Sequence, residues 1–433
     1  MSDILKLSAR YIDEGAYDGP KWINRTTGEL SEVADGIAVV EAFSHVVSFK
    51  TDDGLVLFDT SLDSFATRVI TALRGWSKAP VHTIAYTHGH IDHVGGASAF
   101  VDEARDAGRP RPRVVGHTHV GPRFERYRQT NGYNAVINDR QFRASVGRTG
   151  TVSKGFAARR FGPEVWIAPD TTFDDRMSID VGGVRFDLKH DKGETDDHLW
   201  AWVPERKAIC AGDFVIWVFP NAGNPQKVQR YPLEWAQTLR RMIALEPELL
   251  LPAHGLPVEG KRRIATMLGD MAHVLEIVTG ETLRMMNEGA RLDDIIHAVK
   301  VPQSLLDKPY LRPVYDEPEF VVRNVWRLYG GWHDGNPARL KPAPDRALAE
   351  EVAKLAGGSA RLADRARELA AQGEMRLACH LAEMAAQAAP EDRHAHAARR
   401  DVYRARREAE LSQMAKGIYG AAAEDSAKVA GDA

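Results

Sequence analysis

Thr87-His88-Gly89-His90-Ile91-Asp92-His93-Val94-Gly95-Gly96 is the stretch that says most about this chain, because it gathers three histidines and an aspartate within six residues. The apolar residues 83–86 before it predict a buried strand, and residues 97–100 after it predict a helix. Side chains on a loop that starts at a strand end can converge, because the strand fixes where the loop begins. Imidazole nitrogens together with a carboxylate suit zinc. The sequence therefore predicts a metal site on this loop.

The spacing His-x-His-x-Asp-His on this loop resembles the metal-binding motif of the metallo-β-lactamase superfamily, whose members use it to hold one or two metals. The resemblance implies an α/β fold, a four-layer αββα sandwich with the metals at one edge between two mixed sheets. If the first two histidines bind one metal while Asp92 and His93 bind the other, each metal still needs at least one ligand and a bridge. The superfamily takes these from three later loops, each of which follows a strand.

The second ligand loop follows a strand predicted over residues 183–188. Most superfamily members carry a histidine after the glycine of this loop, whereas this chain has Glu194 and so resembles the alkyl sulfatases of the superfamily. The resemblance makes Glu194 the expected ligand, with His190 as the alternative. Asp196 and Asp197 are expected to cap the turn that follows.

Two further strand ends supply the last expected ligands. Asp213 follows a strand at 207–211 and matches the superfamily's bridging aspartate, although alkyl sulfatases more often have glutamate there. A carboxylate can bridge two cations, which a neutral imidazole cannot do, and the alternative role for Asp213 is a turn or a helix cap. His254, after the apolar run 249–251, is expected to complete the second metal. Asp59 is expected either to orient a ligand or to shape a turn.

The resemblance thus implies two zinc ions per chain, which are held by His88, His90, Asp92, His93, Glu194, Asp213 and His254. Asp92 and Asp213 are the residues expected to act in catalysis. Two zinc ions about 3.5–4 Å apart can hold a water and lower its pKa toward about 7, which permits hydrolysis at neutral pH. Among the other histidines, His117 and His119 are expected to be polar strand-end residues, and His45 is expected to be structural.

The composition is that of an ordinary globular chain of 433 residues, long enough for two domains. The net charge of −3 gives no support for nucleic-acid binding. The two cysteines, Cys210 and Cys379, exclude a disulfide framework and fit a reducing compartment. Neither a secretory signal nor an apolar run of membrane-spanning length is found, so we expect a cytoplasmic location and no membrane partner.

Short apolar strands alternate with helical patterns from residue 37 to residue 253, which is typical of a layered α/β fold. Asp52-Asp53-Gly54 predicts a hairpin turn. Residues 110–160 are rich in arginine, which indicates either a solvated insertion or a lid that carries positive charge toward an anionic substrate. The arginines are Arg111, Arg113, Arg123, Arg126, Arg128, Arg140, Arg143, Arg148, Arg159 and Arg160.

Beyond the last expected ligand the pattern becomes helical. Residues 262–287 have helical apolar spacing, and residues 310–338 resemble the segment that joins the catalytic and dimerisation parts of alkyl sulfatases. Residues 361–410 predict paired helices interrupted at Gly373 and Pro390, similar to the alkyl sulfatase dimerisation region, so we expect a homodimer through these helices. The expected division is an N-terminal extension at 1–35, a metallo-β-lactamase-like catalytic domain at 36–300, a helical dimerisation domain at 301–420 and a flexible tail at 421–433.

The resemblance favours hydrolysis of a small anionic ester, above all a sulfate monoester. Cationic and amide donors suit its oxyanion. The candidate binders are Arg230, Lys227, Asn221 and Tyr133, with Asn224 and Asn134 as weaker ones. The same metals could instead open a lactone or a thioester or cleave a phosphoester. A di-iron redox role is an alternative of another class, although such members usually have glutamate where His90 stands, and a helical scaffold without catalysis is a third.

Overall fold

The computed structural model describes residues 3–15, 17, 23–142 and 166–431. These residues divide into two compact units, one containing residues up to 131 together with 166–331, the other containing 132–142 and 332–431. Four arginines of the arginine-rich segment 110–160, expected to be either a solvated insertion or a lid, lie outside the described residues: Arg143, Arg148, Arg159 and Arg160.

The strands of the first unit form two sheets. The first sheet runs in the order β1-β2-β3-β4-β5-β6-β7 and contains β1 (Leu30–Ala34), β2 (Ile37–Val40), β3 (Val46–Thr51), β4 (Gly54–Phe58), β5 (Val81–Ala85), β6 (Arg113–His117) and β7 (Thr171–Phe173). The second runs in the order β13-β12-β11-β10-β9-β8 and contains β8 (Arg176–Val181), β9 (Val184–His190), β10 (Leu199–Val203), β11 (Ala208–Gly212), β12 (Leu249–Pro252) and β13 (Val258–Glu259).

Both sheets are mixed. In the first sheet β1 to β4 pair antiparallel and β4 to β7 pair parallel. In the second sheet β11 and β12 pair parallel, and the other neighbours pair antiparallel. The two sheets pack face to face, since Phe49 and Phe58 of the first sheet stack against Phe186 of the second at ring distances of 5.2 and 6.0 Å. The core of the first unit therefore lies between the sheets.

Helices cover the outer faces of the sheets in the first unit. They are α1 (Asp3–Glu14), α2 (Asp63–Trp76), α3 (Ile91–Val94), α4 (Ala97–Asp106), α5 (Val120–Gln129), α7 (Pro232–Ala244), α8 (Lys261–Asn287), α9 (Leu292–Ala298), α10 (Gln303–Leu306) and α11 (Pro318–Gly330). This is the predicted αββα sandwich. The predicted hairpin at Asp52-Asp53-Gly54 and the helix predicted over 262–287 are confirmed.

The second unit is helical. It contains α6 (Asn131–Phe142) except for its first residue, together with α12 (Asp345–Ala356), α13 (Ser359–Ala371), α14 (Met375–Ala388), α15 (Arg393–Ala409) and α16 (Gln413–Ala430). The predicted helix breaks at Gly373 and Pro390 are confirmed. Helix α6 packs closely on α16, since a Cβ atom at Gly417 would lie only 2.0 Å from the carbonyl oxygen of Gln141. Among the described residues, no helix has both the length and the apolar character that crossing a bilayer needs.

The structure divides the chain differently from the expected boundaries in two places. Helix α11 belongs to the first unit rather than to the helical region, because Val321, Val322 and Val325 are buried in the core between the sheets and α8. Residues 421–430, expected to be flexible, continue α16 and bury Ala421 and Ala427. Small side chains allow close helix packing there, which composition alone does not distinguish from a polar tail.

Candidate metal centre

The predicted metal ligands come from loops that leave the carboxyl ends of four strands. His88 follows β5, Glu194 follows β9, Asp213 follows β11 and His254 follows β12. Strand β5 runs parallel to β4, and β11 runs parallel to β12, so each pair delivers its loops to one edge of its sheet. Because the sheets face each other, the loops meet at a shared edge.

Four donors form a first group at this edge: His88, His90, Glu194 and Asp213. One ligand atom from each lies within 4.8 Å of the others. His88 Nε2 is 2.8 Å from His90 Nδ1, and His90 Nδ1 is 3.7 Å from Glu194 Oε1. The group has the two imidazoles and the carboxylates that a zinc site uses.

Asp92, His93 and His254 form a second group whose ligand atoms also lie within 4.8 Å of one another. His254 Nε2 is 3.3 Å from Asp92 Oδ2. Asp213 connects the two groups. Its Oδ1 lies 3.4 Å from His93 Nε2 and 3.5 Å from His254 Nε2, while its Oδ2 lies 4.0 Å from His88 Nε2. A carboxylate placed between two donor groups is suited to bridge two cations.

Burial is the largest single influence on the pKa values of the cluster. It lowers the pKa of His88 well below its ordinary value, with His93 and His90 adding to the effect, so this imidazole is a neutral donor. Burial also raises the pKa of Glu194 well above its ordinary value, although Arg230 opposes the shift. For Asp213, burial is outweighed by the neighbouring His93 and His254, which hold its pKa below the ordinary value.

Asp59 orients the first ligand loop. Its Oδ1 accepts a hydrogen bond from Thr87 N–H at 2.7 Å, and its Oδ2 is hydrogen-bonded to His93 Nδ1 at 2.7 Å and to Thr87 Oγ1 at 2.8 Å. Asp59 therefore contacts a predicted ligand, His93, as the first of its two expected roles requires. The hydrogen bond at Nδ1 leaves His93 Nε2 directed at Asp213.

Three orienting contacts had no signal in the sequence pattern. Asn24 Nδ2 lies 3.3 Å from His254 Nδ1, and Asn24 Oδ1 accepts the N–H of Gly255 at 3.1 Å. Asn24 belongs to the segment expected to be an N-terminal extension. His45, expected to be structural, supports the same turn through a 2.7 Å hydrogen bond between its Nε2 and Gly255 O.

A buried ion pair holds the loop between the first two histidines. Asp197 Oδ2 accepts the N–H of Gly89 at 2.9 Å and Arg123 Nε at 2.8 Å, and both side chains are buried. Asp197 was expected to cap a turn, and Arg123 was one of the arginines of the expected lid. The one sequence feature that fits this contact is the glycine at position 89. A Cβ atom there would lie 2.9 Å from both Arg123 Cδ and Asp197 Oδ2.

His198 is a further residue of the site that the sequence did not indicate. Its Nε2 accepts the N–H of Asp213 at 3.1 Å, and its ring stacks on Phe214 at 4.2 Å. Burial lowers its pKa to about 3, which keeps the imidazole neutral and able to accept. His198 therefore fixes the backbone of the residue that lies between the two donor groups.

Two of the predicted substrate-binding residues contact Glu194. Asn221 Nδ2 donates to Glu194 Oε1 at 2.5 Å, and Arg230 Nη2 donates to the same oxygen at 3.1 Å. Lys227 is half-buried on the same segment, and burial together with Arg230 lowers its pKa to about 7. Asn224 is buried nearby in the chain.

The other predicted binders belong to the second unit. Tyr133 lies on α6 with 62% of its side-chain surface exposed, and Asn134 on the same helix is buried. Tyr133 and Asn134 therefore lie on a helix that packs on α16, which the local sequence does not reveal, and their substrate-binding role stays a prediction.

His190, the alternative to Glu194, lies outside both donor groups. Strand β9 continues to His190, which pairs with Leu199, and its ring stacks on His117 at 3.7 Å. His117 and His119 also lie at this strand end, where His117 Nε2 is hydrogen-bonded to Asp174 O. These three histidines form a separate polar strand-end cluster.

Comparison with known families agrees with this geometry. Residues 39–254 match the family model of the metallo-beta-lactamase superfamily, and residues 291–428 match that of alkyl sulfatase dimerisation. The chain belongs to the metallo-β-lactamase superfamily and carries an alkyl sulfatase dimerisation region.

Individual relatives are alkyl sulfatases. The chain is 26% identical over 347 residues to a linear primary-alkylsulfatase of Pseudomonas sp. (strain ATCC 19151), covering 77% of this chain and 64% of that protein. It is 26% identical over 376 residues to an (R)-specific secondary-alkylsulfatase of Pseudomonas sp., covering 83% and 56%. The chain thus spans less than two thirds of the length of either relative.

A solved structure supports the fold. The stereoselective inverting sec-alkylsulfatase Pisa1 from Pseudomonas sp. superposes with a TM-score of 0.77 at 22% sequence identity. The superposition covers 94% of this chain and 66% of that one. The shared architecture therefore includes both the sandwich and the helices that follow it.

Proposed function

We propose that the protein is a zinc-dependent hydrolase that cleaves sulfate monoesters of small organic alcohols. The observation that carries the proposal is the position of Asp213 between two groups of mostly buried donors, next to a carboxylate that is contacted by a buried arginine. The relatives whose names include alkylsulfatase support the choice of ester.

The donor set fits two zinc ions. Three buried atoms, His93 Nε2, Glu194 Oε2 and Asp213 Oδ1, have no hydrogen-bond partner among the described residues. Burying unpaired polar atoms is costly, and cations at this position would compensate for it. In this proposal His88, His90 and Glu194 would hold one zinc, Asp92, His93 and His254 would hold the other, and Asp213 would contribute to both. When bound, two zinc ions supply an activated water and stabilise the charge on the departing oxygen.

Arg230 and Asn221 are the proposed sulfate-binding residues. The Arg230 side chain is buried, and its Nε and Nη1 have no hydrogen-bond partner among the described residues. Asn221 Oδ1 is likewise unpartnered, while its Nδ2 holds Glu194. A guanidinium fork matches a tetrahedral oxyanion, and a bound sulfate would satisfy a buried cation that Glu194 pairs only in part. Lys227, on the same segment, adds to the positive potential whenever it is protonated.

A release assay tests the substrate class. Zinc-loaded protein is incubated with short and long linear alkyl sulfates, an aryl sulfate, matched phosphate esters and a lactone, and the released products are quantified. We expect sulfate release, which Arg230→Ala lowers and Arg240→Ala, an exposed arginine paired with Glu276, leaves unchanged. Turnover of the phosphate esters or the lactone without any sulfate release would replace the sulfate assignment.

Elemental analysis tests the metal assignment separately. The purified protein is expected to contain two zinc ions per chain, and removal of zinc with a chelator should abolish hydrolysis until zinc is restored. Iron in place of zinc, with oxygen consumption instead of hydrolysis, would favour the redox alternative.

We also propose that the chain forms a homodimer through its C-terminal helices. Leu348 and Leu355 stand seven residues apart on α12, hence on one face, and their side chains are 53% and 89% exposed. The match to the alkyl sulfatase dimerisation family supports this assignment. Light scattering on the purified protein should give twice the mass of one chain, and a monomer at micromolar concentration would contradict it.

A further inference from the structure

The segment that carries Asn221 and Arg230 is held at both ends by side chains from one region of the first unit. This region consists of the turn before α11 and of α11 itself, and it lies within residues 291–428, the part that matches the alkyl sulfatase dimerisation family. Asp316 contacts the segment near Asn221, and Asn324 contacts it at Arg230.

Asn324 satisfies both backbone polar groups of Arg230. Its Nδ2 donates to Arg230 O at 3.0 Å, and its Oδ1 accepts the N–H of Arg230 at 3.4 Å. The same Oδ1 accepts from Gln229 Nε2 at 2.9 Å. Asn324 is itself buried, so these are contacts that water does not readily replace.

The residue after Arg230 is fixed as well. Tyr231 N–H donates to Gly193 O at 3.0 Å, which ties this end of the segment to the loop that carries Glu194. The Arg230 backbone is therefore held from two directions, while its Nη2 reaches Glu194 Oε1. The position of the unpartnered Nε and Nη1 follows from that backbone position.

The other end of the segment is held just as closely. Asp316 Oδ2 accepts the N–H of Gly223 at 2.6 Å, and its Oδ1 accepts the N–H of Glu317 at 2.7 Å. Gly223 lies so close to α11 that a Cβ there would be 2.3 Å from the carbonyl carbon of Phe320 and from the nitrogen of Val321. Only glycine permits this approach.

We propose that Asn324 is a positioning residue that sets the anion affinity of Arg230, with Asp316 and Gly223 holding the Asn221 end of the same segment. Asn324 does not touch the bound anion; it acts through the backbone of Arg230. The inference rests on the proposed sulfate-binding role of Arg230. Helix α11, which lies within the dimerisation match, thereby supports the proposed substrate site from behind its binding residues.

The consequence is a defined loss of affinity. A displacement of an orienting group by about 1 Å lowers the reaction rate of a well-ordered active site by up to about 100-fold. Removing the two Asn324 hydrogen bonds leaves the Arg230 carbonyl with the 2.9 Å hydrogen bond from Gln229 Nε2 and the Arg230 N–H without its Asn324 acceptor, while every proposed zinc ligand stays unchanged. Sulfate binding is therefore expected to weaken by roughly tenfold or more, with zinc content unchanged.

The test compares Asn324→Ala and Asn324→Asp with Arg323→Ala, a matched control on the adjacent exposed residue of the same helix. Zinc-loaded proteins are titrated with inorganic sulfate by calorimetry, and zinc content and thermal unfolding are measured in parallel. Asn324→Asp keeps the shape of the side chain but replaces the donor to Arg230 O with an acceptor. We expect both Asn324 variants to weaken sulfate binding and to raise KM more than they lower kcat, and Arg323→Ala to match the wild type.

Arg230→Ala separates the two levels of the proposal. Suppose that the wild type binds sulfate, that Arg230→Ala does not, and that the folded Asn324→Asp protein binds it as tightly as the wild type. The positioning role of Asn324 is then overturned, while the sulfate role of Arg230 stands. If the wild type and Arg230→Ala bind sulfate equally weakly, the sulfate role itself fails, and the positioning role fails with it. A loss of zinc in the Asn324 variants would also overturn the inference, since it assigns Asn324 to the anion alone.

Discussion

The metal edge of the first unit and the helices of the second unit differ in what they bury. The metal edge buries His88, Glu194 and Asp213, and several polar atoms there lack a partner among the described residues. The second unit buries mainly small apolar side chains, such as Ala363, Ala385 and Ala398 in one cluster. The first arrangement is unfavourable without a bound cation, whereas the second is favourable by packing alone.

The two regions also differ at the surface. The second unit leaves two leucines, Leu348 and Leu355, exposed on one face of α12. At the metal edge the seven predicted ligands are all polar, and five of them are buried. This contrast supports the proposals that metal ions and an anionic substrate bind at the first region and that a second copy of the chain binds at the second.

The largest effect is expected for Asp213→Ala, which removes the carboxylate between the two donor groups of the metal edge. Without the connecting carboxylate, zinc content should fall, and hydrolysis should drop by more than about 100-fold, the upper range for a residue that merely orients a ligand. Elemental analysis and the sulfate-release assay measure both effects. The matched control is Asp180→Ala, an exposed aspartate on β8. A fully active variant would show that the buried carboxylate is structural.

Asp197→Ala sharpens the comparison by removing a buried charge that is not a predicted ligand. It removes the buried one of the two carboxylates that pair with Arg123, leaves the partly exposed Asp196 as the other, and frees the N–H of Gly89. We expect unfolding free energy to fall by about 3–5 kcal/mol, and zinc affinity to fall about 10–100-fold. Chemical denaturation and chelator competition measure these changes.

Asp196→Ala is the control for that prediction, because Asp196 pairs with the same arginine while its side chain is 39% exposed. Its loss should cost less than about 1 kcal/mol. Equal losses for both aspartates would show that the Gly89 contact contributes nothing of its own.

Leu355→Glu addresses the second unit. The side chain is 89% exposed, so the substitution should change the free energy of unfolding of one chain by no more than about 0.5 kcal/mol. A charge buried in the proposed dimer interface should instead shift the protein toward monomers, which sedimentation or light scattering detects. Lys354→Glu on the adjacent residue is the control. A dimer that persists in Leu355→Glu would place the interface elsewhere.

The effect of Asp316 is confined to a pH range. Burial raises the pKa of its carboxyl to about 7 in the folded chain, against about 3.9 when unfolded. The folded state therefore binds the proton more tightly, and its contribution to stability is present below pH 4 and is lost as pH rises toward 7. Asp316→Asn should remove this part of the slope in a plot of unfolding free energy against pH. An unchanged slope would mean that the carboxyl ionises normally.

Local patterns predicted the parts of the site that short segments determine. The strand before each ligand loop and the helix over 262–287 follow from apolar patterns, and the hairpin at residues 52–54 follows from its turn residues. The His-x-His-x-Asp-His spacing placed four donors on one loop, because a loop of six residues cannot carry them far apart. The orienting residues gave no such signal. Asn24 lies 230 residues from His254, and Arg123 lies 74 residues from Asp197.

The sequence by itself determined the superfamily, the layered fold and the side chains able to bind metal, since these depend on residue type and spacing within short segments. Only the tertiary structure decided that Asp197 binds the N–H of Gly89 and that His190 stacks on His117. It also decided that Asn324 hydrogen-bonds the backbone of Arg230. Such hydrogen bonds join segments that are remote in the chain. They form only when the packing of both sheets and of α11 has brought those segments together, which no local pattern encodes.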